Sequence, residues 1–295
     1  MRPAWSVVSF TVLAGSAQGL ALALVGSAAM FHQAAALRLP GAALVIALSL
    51  GGLAASFFHL GRPERAWRAA AMWRTSWLSR EVIVLPMFIA SVAAWALWPA
   101  AGLAVVLLAL ALYACTAMIY MALPFLQAWA TPWTAVNFVL QGIAPGALLA
   151  ALLASVFSPS LVNFFAQHAL LFTLVALAAR AATRWRNARI VPRSTPQTAI
   201  GIRHPRIEQR SMGFTGRAFN THEFFHGHTP LALSRRSLGG LLLGFVVPVL
   251  LLSWSSAGLV LLLALASQAA GLLLERWGFF AEAEHPQNIY YKTAS

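Results

Sequence analysis

Eight stretches of this chain stay predominantly apolar for about the 20 residues that a helix needs to cross a hydrocarbon core. They are Trp5–Phe31, Gly41–His59, Glu81–Trp98, Leu103–Leu123, Phe138–Phe157, Leu161–Ala179, Ser237–Ser256 and Gly258–Leu274. The pattern predicts an all-α integral membrane protein with eight transmembrane helices. Eight such helices take roughly 160 positions. The remainder allows one substantial connection, 180–236, within a single membrane-anchor domain over 1–295, and no separate soluble domain. The first stretch begins near Arg2 and carries small-residue runs such as Ala14-Gly15-Ser16-Ala17, features shared with a cleaved signal peptide. It is long enough to span, and seven more spans follow, so it is read as the first membrane helix.

Composition and charge sharpen this picture. Of 295 residues, 60% are hydrophobic and 9% charged, against roughly 25% charged in soluble globular chains, which excludes an ordinary soluble enzyme. Twenty basic residues stand against seven acids, all glutamate, for a net charge of +13. With an even number of spans both termini share a side. That side holds Arg2, the five arginines of 62–80, the eleven of 180–236, Arg276 and Lys292, every basic residue but Arg38. The positive-inside rule makes it the cytoplasmic side of the cell inner membrane, with both termini cytoplasmic. The surplus fits membrane topology and an acidic partner protein rather than nucleic acid. The lone Cys115 builds neither an iron–sulfur cluster nor a Cys-based zinc site. No pair of inverted, broken helices supports a transporter.

The densest polar information lies between the second and third spans. It runs from His59 through Gly61, Arg62, Pro63, Glu64, Arg65 and Trp67 to Trp73, Arg74, Trp77, Arg80 and Glu81. Gly61 and Pro63 stop the second helix, and the indoles and arginines suit a segment lying at lipid headgroup depth. His59 and Glu81 stand apart, because an ionisable group at the margin of the hydrocarbon is costly and faces protein or a wet cavity. A quinone headgroup has two carbonyl oxygens that need donors, and its redox chemistry moves protons with electrons. A histidine can donate the bond and pass the proton, and a nearby glutamate can relay that proton to water. Helix polarity puts Tyr120, near the end of the fourth span, at the same margin. His59, Glu81, Arg62 and Tyr120 are therefore the candidate quinone-binding and proton-transfer residues.

Two rival chemistries fit less well. A haem cytochrome needs two axial ligands at one depth, but His168 lies about 18 Å from the cytoplasmic end at 1.5 Å per residue, while His59 sits at that end. A metalloprotease is suggested by His222-Glu223-Phe224-Phe225-His226, with His228 close by. Gly227 and Pro230 leave little room for the helix that motif requires, and the surrounding loop is turn-rich, so 180–236 reads as an arginine-rich docking loop. Its candidate partner contacts are Arg184, Arg186, Arg203, Arg206 and Arg210.

The run His59-Leu60-Gly61-x-Pro63-x-Arg65-Ala66, with Ser79-x-Glu81 at the next helix start and Trp129 nine residues after Tyr120, resembles the DmsC-type membrane anchor of the dimethyl sulfoxide reductase family. The eight-helix plan agrees. The resemblance implies a subunit with no haem, iron–sulfur cluster or molybdenum of its own. Such a subunit holds a molybdopterin catalytic subunit and a four-cluster iron–sulfur subunit at the membrane and exchanges electrons with a transiently bound quinone. It further implies that His59 and Glu81 are the histidine and glutamate of the quinone site. The family includes the anchor of a cytoplasmic sulfite:quinone oxidoreductase, and a basic, cytoplasmic His59 side favours that relative over a sulfoxide reductase whose catalytic pair faces outward.

Overall fold

The structure, a computed structural model, describes residues 1–58, 60–208, 224 and 226–289. Among the described residues it is all-helical, and eight helices are long and apolar enough to cross a membrane: α1 (Trp5–Met30), α2 (Arg38–Phe57), α3 (Trp77–Leu97), α4 (Gly102–Met121), α5 (Pro132–Phe157), α6 (Val162–Asn187), α8 (Pro230–Trp254) and α9 (Gly258–Ala281). A single turn and a half, α7 (Pro196–Ile200), lies in the long connection. Prolines at 132 and 230 occupy the first helical turn, where no amide donor is needed. Ser76 Oγ accepts the Ser79 amide at 3.3 Å, and Thr229 Oγ1 accepts the Ala232 amide at 3.2 Å, so α3 and α8 start on side-chain caps.

Four helix ends lie beyond their expected positions. Helix α5 begins before Asn137, α6 continues past Arg180, α8 begins before Ser237 and α9 continues past Glu275. Each shift carries a polar residue into the bundle, where it finds a partner on another helix. The connection expected over 180–236 is consequently shorter: Arg180, Arg184 and Arg186 belong to α6.

Helix α1 sits at the centre, against α2, α4, α5 and α9. Its crossing with α5 is made by two glycine pairs at four-residue spacing, Gly15 and Gly19 facing Gly142 and Gly146. A Cβ on Gly19 would stand 2.1 Å from the Gly142 carbonyl oxygen, and one on Gly146 would stand 2.2 Å from the Gly19 carbonyl carbon. In lipid, helices associate through close packing and interhelical hydrogen bonds, and this approach supplies the first. The second is the Tyr113 hydroxyl of α4, which donates to the Gly15 carbonyl at 2.8 Å.

Pro248 leaves its mark on α8. A π-helical turn spans Leu242–Val246, in which the Val247 amide bonds to the Leu242 carbonyl. The Leu243 carbonyl would then look to residue 248, which has no N–H. Ser267 Oγ of α9 donates to it instead, at 2.8 Å.

Gly19→Ala is expected to destabilise the protein by about 1–3 kcal/mol or more, because its methyl group meets backbone that cannot retreat. Gly26→Ala, on the same helix with nothing within 4 Å of its Cβ, should behave as wild type. Thermal unfolding of the two variants in detergent measures the difference, and equal melting would contradict the α1–α5 crossing.

Candidate functional site

The polar interior of the bundle is concentrated at one end, where α1, α3, α5 and α8 begin and α2, α4, α6 and α9 finish. The Met1 amine donates to the Ala281 and Ala283 carbonyls there, at 3.0 and 3.2 Å. Glu81, in the first turn and a half of α3, is 5% exposed and accepts a hydrogen bond from Thr116 Oγ1 of α4. Its neighbour Arg80 turns outward. The Arg80 guanidinium donates to the carbonyls of Trp73 and Arg74, both at 2.9 Å, and lies 4.1 Å over the Trp77 ring, tying the preceding segment to the start of α3.

Tyr120 closes α4 inside a box of rings. Phe138 stacks on it at 5.4 Å, and Trp129, Phe279 and Phe280 meet it edge-on at 5.3, 5.3 and 5.5 Å. Glu81 and Arg276 both lie within electrostatic range of its hydroxyl. Helix polarity thus brings Glu81 and Tyr120 to one neighbourhood. Arg62 is exposed at the cap of the short 3-10 helix Pro63–Met72. His59 lies outside the described residues.

Beside this pair runs a buried ionic network whose members count, in the sequence, only as topological charge. Arg180 of α6 is 5% exposed and Glu275 of α9 is 3% exposed, and the Arg180 guanidinium pairs with the Glu275 carboxylate. Arg180 Nη2 also lies 3.7 Å from Glu282, which accepts from Ser237 Oγ of α8 at 3.3 Å. Arg276 is held by an aromatic face instead, its guanidinium carbon 3.6 Å over the Phe138 ring. Asn137 of α5 donates to Thr183 Oγ1 of α6 at 2.7 Å. One signal in the sequence could have exposed this seam. Thr173 and Gln268 precede Arg180 and Glu275 by seven residues each, two helical turns on the same face, and Gln268 donates to Thr173 at 3.0 Å.

Of the His222–His226 motif, His222, Glu223 and Phe225 lie outside the described residues. His226 Nδ1 accepts the His228 amide at 3.1 Å, and His228 Nε2 meets Arg236 Nη1 at 3.0 Å, so these nitrogens are committed to protein contacts. Burial, then the nearby terminal amine and His228, lower the His226 pKa, in keeping with a neutral ring accepting that bond. Among the docking candidates, Arg203 and Arg206 are exposed, whereas Arg184 donates to the Ser237 carbonyl at 3.5 Å and Arg186 to Asn187 at 2.9 Å. Arg210 lies outside the described residues.

Residues 1–199 match the family signature of the DMSO reductase anchor subunit (DmsC). The chain is also similar to a sulfite dehydrogenase subunit of Allochromatium vinosum. The two are 46% identical over an alignment of 325 residues that covers the whole of both chains.

Removing one partner of the buried pair, as in Arg180→Leu, leaves an uncompensated carboxylate and should cost about 3–5 kcal/mol. Removing both, as in Arg180→Leu with Glu275→Leu, should restore most of that loss. The two variants are compared by thermal unfolding and by yield from the membrane; equal damage in both would show that the pair is not coupled.

Proposed function

Because the chain belongs to the family of DMSO reductase anchor subunits, we propose that it anchors a sulfite-oxidising molybdopterin enzyme in the cell inner membrane and carries the quinone end of its electron path. The observation that carries this reading is the similarity to a sulfite dehydrogenase subunit over the full length of both chains, the last two helices included. The partners are a molybdopterin catalytic subunit and a four-cluster iron–sulfur subunit on the cytoplasmic side. Without them the chain is catalytically incomplete. Its place in the complex is to bring a quinone within electron-transfer reach of the iron–sulfur subunit and to manage the accompanying protons.

The polar groups at the α3–α4 end fit a quinone headgroup. Glu81 is buried at the start of a span and accepts a hydrogen bond from the hydroxyl of Thr116, and Tyr120 is buried at the end of α4, so a carboxyl and a phenol lie at the same end of the bundle, at the margin of the hydrocarbon. His59 supplies a donor to one carbonyl oxygen, Arg62 guards the exposed rim, and Glu81 exchanges the proton with water. A bound quinone supplies two-electron chemistry, and these side chains bind, orient and protonate it. An anchor that instead draws electrons from quinol for sulfoxide reduction would share this site and differ in sidedness. Protease accessibility of the 188–229 connection in inside-out and right-side-out vesicles separates the two.

His59→Ala should leave the complex assembled and its dye-coupled activity intact, while slowing quinone-coupled turnover by about a hundredfold or more. Glu81→Asp should keep more of that turnover than Glu81→Gln, which preserves shape but removes the titrating group. Steady-state kinetics with a soluble quinone analogue measure all three, and full activity of the His59 and Glu81→Gln variants would remove the quinone site from this end of the chain.

Docking rests on Arg203 and Arg206, which the fold leaves exposed, together with Arg210 of the same connection. Arg203→Glu with Arg206→Glu and Arg210→Glu should release the iron–sulfur partner, increasingly so at high salt, because exposed ion pairs are screened over a Debye length of about 8 Å at physiological ionic strength. Co-purification across a salt series is the measurement. Retention of the partner at every salt concentration would leave these arginines a purely topological role.

A further inference from the structure

The connection between α2 and α3 carries ten residues of 3-10 helix, Pro63–Met72. That is long for a conformation whose runs seldom pass about four residues, because side chains eclipse every third position and the hydrogen bonds are poorly aligned. Eclipsing also sorts the sequence into straight rows. Arg62 at the cap, Arg65 and Arg68 stand on one row, with about 6 Å of rise between successive members at about 2.0 Å per residue. Trp67 and, just past the helix end, Trp73 stand on a second row, and Ala66 and Ala69 stand on the third. In an α-helix each step of three residues would turn a side chain away by about 60°, and the arginines would fan apart.

The rows meet different surroundings. Ala66, Ala69 and Ala70 are the half-buried residues of this helix, which packs against α3. Trp67 is 75% exposed and Trp73 52% exposed, a large apolar surface whose rings suit the depth of lipid headgroups. Arg62, Arg65 and Arg68 are exposed as well. Glu64 lies 3.8 Å from Arg65, an open contact of little strength, and Arg62 and Arg68 have no ion-pair partner among the described residues. Arg80, by contrast, has its donors on the Trp73 and Arg74 carbonyls, which fastens the end of the segment to α3. Both ends of the connection continue into membrane spans, α2 at Phe57 and α3 at Trp77, so it lies at a membrane surface.

We propose that the row of Arg62, Arg65 and Arg68 binds the phosphates of anionic phospholipids, with Trp67 and Trp73 set among the headgroups beside it. A guanidinium pairs with a phosphate through two parallel hydrogen bonds, and a straight row presents three such forks along one line. The phosphate comes from lipid, because the indoles and the flanking spans hold the row where lipid phosphates are concentrated. Indole burial and attraction to anionic headgroups act together on a segment of this kind, as they do on amphipathic helices lying in the interface. The ligand thus sits beside the ends of α2 and α3, which the segment joins.

The test uses the intact complex, reconstituted in nanodiscs of phosphatidylcholine with a minor share of phosphatidylglycerol. Native mass spectrometry after release from the disc identifies the lipid that stays bound, and the wild type should retain phosphatidylglycerol in preference to phosphatidylcholine. Arg65→Gln with Arg68→Gln should lower that preference on the order of tenfold or more, since each arginine at an anionic surface contributes about fivefold. Arg65→Lys with Arg68→Lys keeps the charge but loses the two-point geometry, and should fall between the two. Arg62 stays in place because it belongs to the proposed quinone rim, and dye-coupled activity should match wild type throughout. Arg2→Gln with Arg235→Gln removes the same charge from two other exposed positions at this end of the bundle and should leave lipid selection unchanged. Equal loss in the two glutamine variants would reduce the effect to the net charge of the chain and overturn the site. Undiminished preference in the Arg65 and Arg68 variant would overturn it too, as would displacement of the lipid by inorganic phosphate, or release of the soluble subunits with lipid preference intact.

Discussion

Hydrocarbon offers no partner to a carbonyl, a guanidinium or a carboxylate, so every polar group inside this bundle has to be answered by another part of the protein. Much of the architecture follows from how that is done. Buried hydroxyls on the helices return to their own backbone, as Ser49 does to Val45 at 2.8 Å and Thr173 to Ala169 at 2.6 Å. The carbonyl of Leu243, left over by Pro248, is answered from α9 by Ser267. The charged residues are answered across helices, by Arg180 with Glu275 and by Arg276 with the face of Phe138. Where small residues meet, as at the α1–α5 crossing, the backbones come together and the Gly15 carbonyl is answered by the Tyr113 hydroxyl of α4.

The same constraint explains which features could be read from the chain. Eight apolar runs are a local signal, and each corresponds to a helix. Their ends are a different matter. The apolar runs stop at Ala179 and Leu274 and start at Phe138, next to Arg180, Glu275 and Asn137, because hydropathy treats a polar residue as one that seeks water. In the folded bundle these residues seek each other, over separations of 46 residues for Asn137 with Thr183 and 95 for Arg180 with Glu275. Glu81 was legible because it opens an apolar run. Tyr120 was legible only by its place at the end of one, since the rings around it come from residues as distant as Phe280.

Charge counts alone also blur two populations of arginine. Arg80, Arg180, Arg184 and Arg276 are held by carbonyls, a carboxylate or rings within the chain, and serve its own cohesion. Arg62, Arg203 and Arg206 stand in solvent. An acidic partner can reach only the second group, and rim charges of this kind act mainly on encounter and register, with little net affinity each. The exposed Trp67, Met72 and Trp73 of the 62–76 segment add apolar surface on the same end of the bundle, suited to the depth of lipid headgroups.

The network also ties the family-matched part of the chain to its last helices. Glu81, Tyr120 and Arg180 all fall within residues 1–199, the region that carries the family match. Glu275, Arg276 and Glu282 come from the end of the chain, on α9 and the turn after it. Arg180 is 5% exposed and cannot withdraw to water without dragging the last two turns of α6 out of the bundle. Without α9 it would be an uncompensated buried cation, a defect of about 3–5 kcal/mol, comparable to the whole stability of many domains. The aromatic box that encloses Tyr120 is completed by the same helix, α9, that neutralises Arg180. The seven-residue spacing from Gln268 to Glu275 marks where this chain supplies the carboxylate that Arg180 pairs with, two helical turns beyond the amide that reaches Thr173.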